Sequence, residues 1–204
     1  GFLDIVLVVG HLGGVIKNYF GDGAAFGVAL TYIEETEPLG TAGALALLGD
    51  VLKNDDFLLL NGDILFDVDL TRFLAFHREK GGIATAFTHP STHPFDSVIV
   101  ESDKNDRVTA FLAPDTARPA TRNRTNAGLH FFSPAVLSRF STVKKTDLDR
   151  EVLVPLAAAG ALFAYNSPEY VKDMGTPQRL KEAERDLAAG VVNLVLESIG
   201  TMTV

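Results

Sequence analysis

Four consecutive apolar residues, Phe57-Leu58-Leu59-Leu60, stop at Asn61-Gly62-Asp63. A strand with no polar face needs apolar cover on both sides, which the middle of a helix-flanked sheet provides. Leu3-Asp4-Ile5-Val6-Leu7-Val8-Val9 repeats the pattern, and similar short runs alternate with helical periodicity as far as Tyr170-Val171-Lys172-Asp173. Such alternation predicts an α/β fold with a mostly parallel, Rossmann-like sheet flanked by helices.

A chain of 204 residues suffices for one domain with a sizeable core and is short for two. With 47% hydrophobic and 22% charged residues, the balance is that of a folding sequence, not a disordered one. The net charge of −8, with no stripe of Lys and Arg, argues against nucleic acid as a partner. Absence of Cys removes disulfides, thiolate metal sites and Cys nucleophiles together, and suits a cytoplasmic protein. No apolar run reaches the roughly 18 residues of a membrane span, and the opening residues read as a buried strand instead of a leader.

Residues 5–9, 28–34 and 57–60 read as strands, and residues 14–20 as a helix stopped by Gly21-Asp22-Gly23. Thr41 is placed to cap an Ala- and Leu-rich helix over 41–48. Leu70, Phe73, Leu74 and His77 share one face of an amphipathic helix over 70–80. Strands follow at 83–88, 97–101 and 108–112, the last two joined by an Asp103-Lys104-Asn105-Asp106 turn. Residues 114–125, rich in Pro, Arg and Thr, read as a long loop. Residues 129–132, 162–166 and 170–173 are expected as strands, with helices over 134–140 and 149–159 and a charged helix opened by Pro177. No repeat or linker divides residues 1–190, while residues 191–204 form a tail with no assigned role.

In open α/β sheets ligands bind beyond the carboxyl ends of the strands, so Asp63 and Asp173 are the first candidates for chemistry. Two carboxylates at neighbouring strand ends suit Mg²⁺, which takes one or two carboxylates plus waters and substrate phosphates. The plainer reading is that each Asp stabilises a turn or a helix start. Leu39-Gly40-Thr41-Ala42-Gly43 offers backbone N–H groups to a base edge or a phosphate, or forms an ordinary capped helix. Asp67-Val68-Asp69 resembles a glycosyltransferase metal motif, but Asp69 is more simply the cap of the helix that starts at Leu70. His89 and His93 are each followed by Pro, so a loop without metal is expected there. Gly-x-Ser-x-Gly, Walker and Gly-x-Gly-x-x-Gly motifs are all absent, which removes support for Ser nucleophiles and dinucleotide cofactors.

Taken in order, Glu37-Pro38-Leu39-Gly40-Thr41-Ala42-Gly43-Ala44-Leu45, Asn61-Gly62-Asp63, Asn126-Ala127-Gly128-Leu129, Asp147-Leu148-Asp149-Arg150-Glu151-Val152-Leu153 and Tyr170-Val171-Lys172-Asp173-Met174-Gly175-Thr176-Pro177 resemble the NDP-sugar pyrophosphorylase family. Within it the likeness is greatest to mannose- and heptose-1-phosphate guanylyltransferases, and His93-Pro94-Phe95-Asp96-Ser97 is similar to forms linked to a phosphatase domain. The resemblance implies attack of a sugar 1-phosphate oxygen on the α-phosphorus of an NTP, giving an NDP-sugar and pyrophosphate. It further implies that Asp63 and Asp173 hold Mg²⁺ and that residues Leu39, Gly40, Thr41, Ala42 and Gly43 contact the nucleobase. Asn126, Gly128 and Asp149 would line the sugar pocket, and a homo-oligomer would be in keeping with the family.

Two departures from the family pattern carry expectations of their own. The family's Gly-rich phosphate loop and the Lys-Pro after it precede the point at which this sequence starts, so the 204 residues alone are expected to lack transfer activity. The strand belonging to that loop would lie between residues 5–9 and 57–60, so the sheet is expected to lack its first central strand. A Lys that the family carries near the sugar phosphate is replaced by Ala113, with Arg118, Arg122 and Arg124 as candidate substitutes. The alternative to an enzyme is a catalytically dead sugar-nucleotide-binding or regulatory module.

Overall fold

The structure is a computed structural model that describes residues 2–91, 97–114 and 123–192. In chain order, β1 (Asp4–Val9), α1 (Gly13–Phe20) and β2 (Ala29–Glu34) form a βαβ unit with parallel strands. A 3₁₀ segment, Gly43–Leu47, and α2 (Gly49–Leu52) precede β3 (Phe57–Leu60), β4 (Ile64–Asp67) and α3 (Leu70–Lys80). Next come β5 (Ala84–Pro90), the hairpin of β6 (Ile99–Ser102) and β7 (Val108–Leu112), and β8 (Arg124–Phe132). A second 3₁₀ segment, Pro134–Arg139, and a wide helical turn, Leu148–Leu153, lead into α4 (Val154–Ala158). β9 (Leu162–Asn166), β10 (Tyr170–Asp173) and α5 (Pro177–Ala188) complete the described elements.

β8 organises the main sheet. One of its edges pairs antiparallel with β5, while its other edge is shared, β6 meeting Thr125 and β3 meeting Leu129 to Phe132. β9 then adds parallel to β5. The expected α/β class with a helix-flanked central sheet is what the chain forms, but parallel pairing is confined to β1–β2 and β5–β9. β8 runs antiparallel to β3, β5 and β6, and the β6–β7 hairpin and the β4–β10 ladder are antiparallel as well.

Alternation along β8 divides the core. Ala127, Leu129 and Phe131 join Phe73, Phe87 and Tyr165 under α3, while Phe132 joins Phe57, Leu153 and Leu156 under α4. Each fully buried side chain of this size contributes about 1.5–3 kcal/mol relative to exposure. Asp69 caps α3 by accepting from the Arg72 N–H at 2.9 Å, the simpler of its two readings. Thr176 caps α5 through the Arg179 N–H, with Pro177 in the first turn as expected.

Several local expectations are corrected. Thr41 caps no helix; its hydroxyl accepts from the Leu148 N–H at 2.7 Å, and the segment after it is the short 3₁₀ turn. His89 lies in β5 opposite Thr125 and not in a loop, because β8 begins earlier than its apolar run and draws β5 out to Pro90. His93, the rest of the His-Pro-Phe-Asp stretch up to Asp96, Arg118, Arg122 and the tail from residue 193 lie outside the described residues.

Among the described strands β1 pairs only with β2, and β3 only with β8. Val6 and Ile33 nevertheless pack on the same core cluster as Phe57. The first βαβ unit is therefore held by side chains, while one edge of β1 and one of β3 have no partner strand among the described residues. A polypeptide of these 204 residues is expected to self-associate with rising concentration in sedimentation velocity. A concentration-independent monomer that unfolds in one cooperative step would contradict this.

Candidate active site

Two turns meet at one end of the sheet. Asn61-Gly62-Asp63 links β3 to β4, and β4 pairs antiparallel with β10 so that Ile64 faces Asp173. The Met174 N–H donates to the Asp63 carbonyl at 2.7 Å and locks the two turns together. Gly175 reports how near the carboxylates are: a Cβ placed there would lie 2.8 Å from Asp63 Oδ2 and 3.1 Å from Asp173 Oδ1. Those two oxygens are thus at most about 6 Å apart, close enough for small closure onto one cation with ligands at about 2.1 Å. The Gly175 N–H donates to Asp173 Oδ1 at 2.7 Å, and Arg179 pairs with Oδ2 at 3.0 Å. β4 was not legible in the sequence, since Ile64–Asp67 has only four residues and follows directly on the polar turn.

Leu39 to Gly43 is clamped against the segment before the wide turn. The Thr146 N–H donates to the Leu39 carbonyl, and the Ala42 N–H donates to the Thr146 carbonyl. A Cβ on Gly43 would fall 2.3 Å from the Lys144 carbonyl oxygen, so only glycine allows this approach. Leu39, Ala42 and Gly43 are buried, while Gly40 and Thr41 remain exposed at the site. Lys144, Lys145 and Thr146, which the sequence reading passed over, are what hold this loop.

Thr41 of this loop and Asn61 of the β3–β4 turn share a cavity of 220 Å³ whose lining also includes Asn126, Gly128, His130 and Asp149. Ligand pockets for drug-sized molecules run to about 300–1,000 Å³, so this one is on the scale of a single sugar ring. The Asn126 amide donates to Asp149 Oδ1 at 3.2 Å, and its carbonyl accepts from the Gly128 N–H at 3.2 Å. Gly128 has φ 77°, and a Cβ there would sit 2.8 Å from the Asn61 amide nitrogen. Glycine at this position therefore lets the Asn61 turn and β8 come together. Asp149 projects from the wide turn Leu148–Leu153, a widened helical geometry that often accompanies functional sites. Asp147 caps that turn by accepting from the Arg150 N–H at 2.8 Å. Desolvation raises the Asp149 carboxyl above the usual range, Asp147 adds to the shift, and the Asn126 hydrogen bond offsets part of it.

All the sequence-derived site residues thus gather at one end of the sheet: Asp63 with Asp173, and Asn126, Gly128 and Asp149 around the cavity beside Leu39 to Gly43. The described residues contain no cluster of three or more His, Asp or Glu able to hold a metal by protein ligands alone. A paired-carboxylate site completed by waters and phosphates is the kind of donor set that Mg²⁺ uses. Arg124 belongs to β8, where its charge helps to lower His89 after burial, the larger cause. His130 was overlooked because it sits in an apolar strand sequence and belongs to none of the motifs.

Burial pushes the His130 imidazole down to about 4, and burial also lowers His77 and His89. Unfolded His takes up its proton near the ordinary value of about 6.5, so acid favours the unfolded chain between there and the folded value. The stability due to a neutral His130, about 3 kcal/mol, is full above pH ~6.5 and is lost as pH falls towards ~4. Asp149, with its raised carboxyl, contributes the opposite slope. Urea unfolding midpoints should fall over this interval, and His130→Phe should flatten the fall; an unchanged pH profile would reject the assignment.

The Nucleotidyl transferase family profile matches residues 1–190. A mannose-1-phosphate guanylyltransferase from Mycobacterium tuberculosis is 34% identical over 193 residues, covering 94% of this chain and 53% of that protein. A probable mannose-1-phosphate guanylyltransferase from Oryza sativa subsp. japonica is 33% identical, covering 87% and 50%. The chain thus spans about half the length of these curated relatives. Among solved structures, HddC from Yersinia pseudotuberculosis superimposes with a TM-score of 0.77 at 18% identity, over 92% of this chain and 80% of that one, a likeness of fold. On the profile match and these identities, the chain belongs to the nucleotidyl transferase family.

Proposed function

We propose that this domain serves a sugar-1-phosphate nucleotidyltransferase that joins GTP and mannose 1-phosphate, or a close relative of that sugar, into an NDP-sugar with release of pyrophosphate. The observation that carries the reading is the cavity lined by Thr41 of the Leu39 to Gly43 loop, Asn61, Asn126 and Asp149, with the Asp63 carboxylate two residues beyond Asn61 and Asp173 beside it. Names of the curated relatives supply the choice of guanine and mannose.

In this reading a phosphate oxygen of the sugar 1-phosphate attacks the α-phosphorus of the nucleotide, the bond from that phosphorus to the β-bridging oxygen breaks, and pyrophosphate leaves. No covalent enzyme intermediate is needed, so the protein contributes positioning and charge. Asp63 and Asp173 would hold Mg²⁺, which when bound neutralises and orients phosphate oxygens. Gly40 and Thr41 offer exposed backbone to the base edge. Asp149, oriented by Asn126, accepts hydrogen bonds from sugar hydroxyls, and Gly128 lets Asn61 close in to line the same pocket.

The full-length protein should release pyrophosphate from GTP only when mannose 1-phosphate or a similar sugar phosphate is supplied. A preference for another NTP would correct the base. Silence with every combination of NTP and sugar 1-phosphate would sink the enzymatic reading.

A further inference from the structure

His130 is 1% exposed, and neither ring nitrogen has a hydrogen-bond partner among the described residues. Buried polar side chains are nearly always partnered, because an unmet donor or acceptor loses its hydration without return. Its surroundings in the sheet offer no remedy: His130 faces Leu59 on β3 and Ala86 on β5, and its ring stacks on Phe132 at 6.0 Å. One side alone is different. His130 lies four residues along β8 from Asn126, across the register shift between Ala86 and Thr88, and it lines the same cavity as Asn126 and Asp149.

We propose that His130 forms the floor of the sugar pocket and recognises one hydroxyl of the sugar ring, making it a specificity-determining residue of the site. This rests on the sugar-pocket reading given above. A neutral imidazole presents one donor and one acceptor, and a hydroxyl answers either. A phosphate oxygen cannot meet the acceptor nitrogen, and the apolar neighbours Leu59, Ala86 and Phe132 oppose the imidazolium that would attract it. The floor therefore selects a neutral polyol over an anion, leaving the phosphate of the substrate to groups away from His130. Asp149 and Asn126 hold other parts of the ring from the side, so His130 reads the hydroxyl that points deepest. A site built to hydrogen-bond one hydroxyl discriminates strongly against the analogue that lacks it, because the buried group is then left unpaired.

The test uses the full-length protein labelled with ¹⁵N-histidine, titrated with mannose 1-phosphate, its monodeoxy analogues and inorganic phosphate. Saturation with mannose 1-phosphate is expected to shift the His130 ring nitrogens and leave those of His77 in place. Affinity should fall about tenfold in His130→Phe, with partial recovery in His130→Gln. One monodeoxy analogue should bind the wild-type protein and His130→Phe equally, identifying the hydroxyl. Unmoved His130 resonances at saturation, an equal shift with inorganic phosphate, or the same affinity loss for every analogue would overturn the proposal. The resonance titration needs no variant and so stands even if His130→Phe does not fold. Failure of the wild-type protein to bind any sugar phosphate would remove the sugar pocket itself, an outcome distinct from binding without His130.

Discussion

Asp63→Asn should reduce nucleotidyl transfer by the full-length protein about a hundredfold or more at saturating Mg²⁺, with Asp173→Asn at least as severe. Charge stabilisation by a bound metal is worth several kcal/mol in such reactions, and each 1.36 kcal/mol is about tenfold in rate. Asparagine keeps the size of the side chain and removes the charge that would hold the cation. Asp63 gives the cleaner result, since Asp173 also accepts from the Gly175 N–H and pairs with Arg179. Both residues are exposed, so unfolding midpoints should barely move in Asp63→Asn. Asp69→Ala is the contrasting variant: it removes the cap of α3 and about 1 kcal/mol of stability, yet should leave transfer intact. Near-normal turnover by Asp63→Asn, or loss of turnover in Asp69→Ala without unfolding, would move the metal to the Asp67–Asp69 segment and defeat the present assignment.

Phe131→Ala is expected to lower the free energy of unfolding by about 3–5 kcal/mol, against a typical domain total of about 5–15 kcal/mol. Phe131 is fully buried at the centre of the sheet. Its ring meets Phe73 edge-on at 4.7 Å, stacks on His77 at 5.9 Å and reaches Phe2 at 6.0 Å. Truncation leaves a cavity that α3 and the residues before β1 would have to close, and close-packed interiors relax only partly. Equilibrium urea unfolding measures the difference. Val51→Ala, at a position 54% exposed on α2, should change stability by no more than about 0.5 kcal/mol. A loss under about 1 kcal/mol in Phe131→Ala would mean that the cluster under α3 is not packed as described.

Much of the architecture was legible because the apolar pattern carries it. β3, α3, β7, β9 and β10 fall on the residues expected, since each is a run whose period or composition has one sensible reading. The helices around the site were less legible. Residues 41–48 have strong helix formers, yet glycine contacts with Lys144 and Thr146 hold the first part of the segment as a clamped loop. Residues 149–159 likewise begin as a wide turn that aims Asp149 at the cavity. Propensity is a local quantity, and these segments answer to neighbours about a hundred residues away in the chain.

The sequence by itself determined the α/β class, most of the strands, and the presence of acids and glycines where strands end, because backbone periodicity and turn chemistry are local properties. It also identified the ordered motifs that the family comparison bears out. Only the tertiary structure decided that Asp63 and Asp173 flank one point, through the β4–β10 ladder, and that Asn126 reaches Asp149. It alone also decided which way β8 runs, and so left His130 without a partner among the described residues beside the pocket. Those facts depend on distances between residues far apart in the chain, which are set by register and packing and have no local signal in the sequence.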